Sequence, residues 1–278
     1  MNLLVEAVKA SHFILVYLVL LIFSLWIREE FATIFKRKSF VSFRALRITV
    51  IRLLLQKSGL GELRDARTIQ NIFLMALVFL PTLFLPLSDR FDFFGSEAML
   101  GIIDIDNSLT YVFAFLIIGE ITKSIVTKEL AGLCKRVPAL FIVYYSLVIL
   151  GPSLSIEQMV QYQKSFGELG LRNYLLIKNP YGAFFLAYLI IDELSNPRDE
   201  FELLDHLSLN GYILLFIYCF LGGYGLPSLL EKQNISPGLL TLSLQTLSLC
   251  AKFVFCIIVF WVFRFSSIRA VRRISHGL

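Results

Sequence analysis

The sequence predicts an all-α fold, a polytopic transmembrane bundle of about seven spans plus one amphipathic helix lying in the membrane interface. Three observations carry this. Of the 278 residues, 57% are hydrophobic and only 17% are charged. A soluble domain carries roughly 45–50% apolar residues and about 25% charge, because its surface must face water. Apolar runs recur at 11–27, 69–87, 109–127, 138–155, 174–191, 209–226 and 238–263, each near the ~20 residues that cross a bilayer at ~1.5 Å per residue. The connections between them are too short for a second globular unit, so residues 1–278 read as a single integral membrane domain.

The first run begins at Phe13 and ends at Ile27, followed by Arg28, Glu29 and Glu30 where a cleaved signal would carry small residues. It is expected to be a retained helix. Segment 45–60 (ALRITVIRLLLQKSGL) differs from the spans. Arg47, Arg52 and Lys57 recur among its Ile and Leu residues, the pattern of a helix lying in the headgroup region. The last run is long enough to tilt.

Orientation follows from the basic residues. With the N-terminus outside, eighteen of the 26 Lys and Arg fall in the inside segments 28–68, 128–137, 192–208 and 264–278. Five fall outside, and Lys123, Lys178 and Lys252 lie within spans. The bias favours a cytoplasmic C-terminus in a cell inner (plasma) membrane. The net charge of +5 is accounted for by this topology and by anionic headgroups, so no nucleic-acid partner is expected. One inside loop is unusual. Residues 192–206 hold Asp192, Glu193, Asp199, Glu200, Glu202 and Asp205 against a single Arg198. Topology alone does not require those acids.

Soluble-enzyme signatures are missing. There is no phosphate-binding loop, dinucleotide fingerprint, zinc-protease motif or nucleophile elbow. His12, His206 and His276 are scattered, and Cys134, Cys219, Cys250 and Cys256 form no C-x-x-C pair. Metal, disulfide, flavin and iron–sulfur roles are therefore not expected.

The informative residues are charges at membrane depth. An ionised side chain at a span centre is disfavoured by roughly 2.5–3.5 kcal/mol on insertion scales, so it normally faces a partner or water. Glu120 and Lys123 lie three apart on one helix face and are expected to form a self-contained ion pair; a proton relay is the alternative. Lys252 lies midway along the last span and requires an interior carboxylate or carbonyl. Lys178, near a span end, can snorkel. Gly222, Gly223 and Gly225 precede Pro227 and suit a helix C-cap.

Several stretches, in order along the chain, resemble the subunit 1 family of respiratory complex I, a membrane subunit found in the mitochondrial enzyme and, as its counterpart, in the bacterial one. Related membrane subunits serve energy-converting hydrogenases and formate hydrogenlyase. LLQKSGLGELRDA (54–66) resembles that family's glycine-rich loop, and SLSIEQMVQYQ (153–163) its segment after the fourth helix. IDELSNPRDEFELL (191–204) is similar to its acidic loop, and Lys252 with VFWVFRFSSIRAVRR (259–273), which includes Arg264, to its last helix. The chain departs from the family at the fourth-helix motif. Arg136 and Tyr144 are in place, but Leu140 stands at a Gln position and Tyr145 at a Glu position. A tyrosine offers no carboxylate, and Glu120 is a candidate substitute.

The resemblance implies a subunit that docks a peripheral iron–sulfur redox arm among other membrane subunits and helps couple electron transfer to ion movement. Glu193, Asp199, Glu200 and Glu202 would be loop acids with Arg198 as their partner, and Glu120, Lys123 and Lys252 would form an intramembrane polar path. It implies no directly bound cofactor, with quinone at the interface with partner subunits. Two other expectations stand beside it: a stand-alone transporter or channel, and a structural subunit that has lost conduction.

Overall fold

The computed structural model describes residues 2–37, 66–86, 90–93, 96–99, 107–165, 173–195, 202–225 and 239–275. The interfacial segment 45–60, Arg198, Asp199, Glu200 and His276 lie outside them, and the side chain of Glu202 is likewise not described.

The long helices are α1 (Asn2–Arg37), α2 (Ala66–Phe79), α3 (Ser108–Thr127) and α4 (Leu130–Leu150). There follow two short helices, α5 (Ile156–Lys164) and α6 (Leu175–Lys178), then α7 (Pro180–Ser195), α8 (Glu202–Phe220) and α9 (Leu239–Ser275). A 3-10 turn, Leu80–Phe84, extends α2. The all-α expectation needs one amendment, a short antiparallel hairpin in which β1 (Arg90–Phe93) pairs with β2 (Ser96–Met99), Arg90 opposite Met99.

Four helical segments are long and apolar enough to cross a membrane: Ala10–Ile27, Ser108–Thr127, Leu130–Leu150 and Thr241–Arg264. Ile72–Phe84 and Leu204–Phe220 are shorter apolar helices. Large apolar side chains line their outer faces, including Leu15, Phe73, Ile125, Ile149 and Phe255, each more than half exposed. A water-facing bundle does not present such a surface, whereas lipid accepts it. The chain is a helical membrane protein.

Helix boundaries depart from the hydropathy reading where polar residues are buried or the backbone breaks. The run expected at 138–155 is a helix over Leu130–Leu150, because Arg136 is 2% exposed and helical while Gly151 and Pro152 end the helix. The run expected at 209–226 is helical from Glu202 to Phe220, since Asp205, His206 and Ser208 are buried inside the bundle. The run at 174–191 is interrupted at Asn179. Pro180 opens α7, at a position where its missing N–H removes no helical bond. Asn179 caps that helix, its Oδ1 accepting from the Gly182 N–H at 3.0 Å while its Nδ2 donates to Ser146 Oγ at 3.1 Å.

Helix α8 is the axis of the bundle. Every residue from Leu204 to Phe220 is buried, and α1, α2, α5, α6, α7 and α9 all pack on it. Around it run the pairings α2 with α3, α3 with α4, α4 with α7, α7 with α9, and α9 with α1. Tyr17 of α1 meets Phe79 of α2 edge-on, with ring centroids 4.6 Å apart, and brings the last two helices of that ring together.

Candidate functional site: a buried charge cluster and a gripped helix end

Two polar centres stand at opposite ends of α8. The first gathers the last turns of α3 and α7 with the first turns of α4 and α8. Arg136, Asp192, Glu193 and Asp205 lie in stretches that hydropathy alone would leave in loops, whereas Glu120 and Lys123 fall within the expected span 109–127. Lys123 on α3 is fully buried. Its ammonium hydrogen-bonds the Glu193 carboxylate of α7 and Ser208 Oγ of α8 at 3.1 Å, with Asp205 Oδ1 at 3.2 Å. Arg136 on α4 donates from Nε to Asp192 Oδ2 at 3.0 Å and from Nη1 to Glu120 Oε2 at 3.4 Å. Its Nη2 lies 3.1 Å from Glu193 Oε2.

The expectation of a self-contained Glu120–Lys123 pair is therefore corrected. Their charged atoms are 3.9 Å apart, and Lys123 has nearer partners in Glu193 and Asp205. Spacing along one helix identified a neighbour; tertiary packing supplied better-placed carboxylates. Glu120, the candidate substitute for the acid missing at Tyr145, lies in this cluster. It pairs with Arg136, which precedes Tyr145 on α4 by nine residues, about 13 Å of helix rise.

Two cations meet four carboxylates in this cluster: Lys123 and Arg136 against Glu120, Asp192, Glu193 and Asp205. All but Asp192 are at most 4% exposed. Bringing charges out of water is costly unless each is paired and hydrogen-bonded. The arrangement meets that condition by sharing, since Glu193 and Glu120 each serve both cations. One further group faces the cluster. Tyr212, two turns along α8 from Asp205, has its hydroxyl beside Glu120.

The second centre is the C-terminal end of α8. The ammonium of Lys252, midway along α9, donates to three backbone carbonyls, Leu221 O at 3.0 Å, Gly223 O at 2.8 Å and Gly225 O at 2.9 Å. Gln163 of α5, itself fully buried, completes the cap. Its Nε2 donates to Tyr218 O and Cys219 O at 3.0 and 3.2 Å, and its Oε1 accepts from Gly222 N at 3.1 Å. The glycines are required here, since Gly222 and Gly223 have φ of +72° and +52°. From Ser208 to Leu221 is about 20 Å of helix rise, so Lys252 belongs to a different centre from Lys123.

The remaining positions singled out in the sequence take ordinary places. Tyr144 shares a hydrogen bond of 3.2 Å with Thr110, and Tyr145 is 58% exposed on the outer face of α4. Arg264 lies over the Trp261 ring at 4.7 Å, and Lys178 lies over Tyr162 at 4.8 Å. Sequence reasoning did not bring Asp205, Ser208, Tyr212 or Gln163 into a site. The i, i+3, i+7 spacing of Asp205, Ser208 and Tyr212 was the available sign, masked by reading 202–208 as loop. No group of three or more His, Cys, Asp or Glu residues suited to a metal ion occurs among the described residues.

No protein-family model matches the chain, and no curated protein matches it.

Proposed function

We propose that this chain is a membrane-embedded subunit of a redox-driven, ion-translocating assembly of the complex I or energy-converting hydrogenase type. In that role it docks a peripheral redox arm and helps couple electron transfer to ion movement. The observation that carries the reading is the sealed cluster around Arg136 and Glu193. The acidic stretch holding Asp192 and Glu193, which resembles the family's acidic loop, meets there the retained Arg136 of a fourth-helix motif that otherwise departs from the family, although 56 residues separate Arg136 from Asp192. The described carboxylates outnumber the cations by two. A low-dielectric site with surplus acid is suited to holding a proton or recruiting a cation.

In this reading the chain crosses the membrane seven times, with α1, α2 and its 3-10 turn, α3, α4, α6–α7, α8 and α9 alternating in direction. The N-terminus lies outside and the C-terminus in the cytoplasm of an inner (plasma) membrane. The charge cluster then sits at the cytoplasmic end, where an arm carrying iron–sulfur clusters would dock and a quinone could lie between subunits.

A second reading, a stand-alone transporter, is favoured by a specific observation. Helical continuity breaks at Asn179, and α8 ends in a turn, Leu221–Gly225, whose carbonyls converge; transporters bind ions at broken helices and helix ends. Isolation in mild detergent separates the two. Recovery of iron–sulfur and antiporter-like subunits with the chain supports the first; purified chain that moves a solute across liposomes by itself supports the second and removes the first.

A further inference from the structure

The turn that follows α8 has the makings of an ion site. Helix carbonyls at a C-terminus carry the negative end of the macrodipole. In channels and transporters, such backbone oxygens replace the water around a monovalent cation. Here Leu221 O, Gly223 O and Gly225 O converge on one point at 2.8–3.0 Å. The left-handed Gly222 and Gly223 bend the chain so that these alternate carbonyls face the same way. The frame is held from several sides. Gly225 N donates to Gly222 O at 2.9 Å, Ser248 Oγ donates to Gly225 O at 3.0 Å, and Gln163 takes the neighbouring carbonyls and the Gly222 N–H.

What occupies that point is the Lys252 ammonium, delivered from another helix. Ammonium is close to K⁺ in size and charge, and its three N–H groups match the three oxygens. We propose that the Leu221–Gly225 turn is a monovalent-cation site whose ion has been replaced by a tethered one, the side chain of Lys252. The chain thereby carries its own cation at the break and needs none from solution. A simple helix cap would require only that the last carbonyls find donors. A cation site makes a stronger demand, that a free ion of suitable size can take the place of the ammonium.

The proposal is tested on the full chain in detergent, comparing wild type and Lys252→Met in potassium, ammonium and choline chlorides at equal ionic strength. Wild type is expected to melt at the same temperature in all three. The variant is expected to melt about 5 °C or more lower in choline, and to recover most of that loss in potassium or ammonium. A loss that is equal in every salt, no loss at all, or failure to recover folded variant in any of the salts overturns the proposal. Hydrogen exchange at residues 221–225 of the wild type provides a check independent of the variant. Protection unchanged between potassium and choline supports a site already filled; protection that depends on potassium overturns it.

Discussion

Arg136 and Glu193 face one another across the α4–α7 interface with Nη2 and Oε2 3.1 Å apart, while the same Glu193 carboxylate receives the Lys123 ammonium. One acid thus neutralises two cations on two helices. Replacing it with Gln, which keeps the shape and removes the charge, leaves both cations short of a partner. Breaking a buried pair from one side typically costs 3–5 kcal/mol. Glu193→Gln is expected to lower stability by about 3 kcal/mol, read by chemical or thermal unfolding in detergent, and to depress coupled turnover of an assembled complex. Unchanged turnover in an assembled complex would leave Glu193 a structural role alone.

Lys123 and Asp205 form the link between α3 and α8. Lys123→Met strands Glu193 and Asp205 without their shared ammonium and is expected to cost about 3–5 kcal/mol. Adding Asp205→Asn relieves part of the surplus negative charge. The double variant should be more stable than the sum of the single losses, with a coupling of about 1–3 kcal/mol in a double-mutant cycle. Simple additivity would mean that the two groups do not interact.

Gln163 joins four backbone groups at the end of α8, including a longer contact from Leu175 N at 3.4 Å. Gln163→Ala leaves buried carbonyls and an N–H without partners and is expected to cost about 2 kcal/mol. Hydrogen exchange should quicken at residues 217–225 before the rest of α8.

Two glycines of the same helix region should respond in opposite ways. A Cβ at Gly223 would lie 2.8 Å from atoms of Tyr218 and Val160, and its φ is positive; at Gly211 a Cβ meets nothing within 4 Å. Gly223→Ala is expected to destabilise by at least about 1–2 kcal/mol. Gly211→Ala, inside α8, is expected to be neutral or to stabilise by up to about 1 kcal/mol. Thermal melts of the two variants side by side check this.

The proposed orientation predicts where thiol reagents can reach. A cysteine placed at Ser153, between α4 and α5, should react with an impermeant reagent on intact cells. One placed at Lys128, in the turn between α3 and α4, should react only after the cytoplasmic face is opened. The reverse pattern would invert the topology.

The helical class and four long apolar helices were legible in the sequence because hydropathy records what lipid tolerates. The demand that Lys252 meet a carbonyl or carboxylate was legible for the same reason, as an isolated charge at depth requires a partner. The charge cluster was less so. Its members come from residues 120, 123, 136, 192, 193 and 205, and only Glu120 with Lys123 and Asp192 with Glu193 are neighbours along a helix. Arg136 and Asp205 were placed outside the spans because their charge lowered the local hydropathy, yet each is buried by partners that no single segment reveals. Gln163 had no sequence signature, being a polar side chain in a short helix whose role depends on where α8 ends.

The enclosure of α8 from Leu204 to Phe220 bears on how the protein is made. A segment holding Asp205, His206 and Asn210 within its buried surface offers the bilayer little reason to retain it while its neighbours are still being synthesised. Its helical companion α9 follows it in synthesis. Stable insertion of α8 therefore awaits α9, and a nascent chain truncated before residue 239 should be a substrate for membrane quality control.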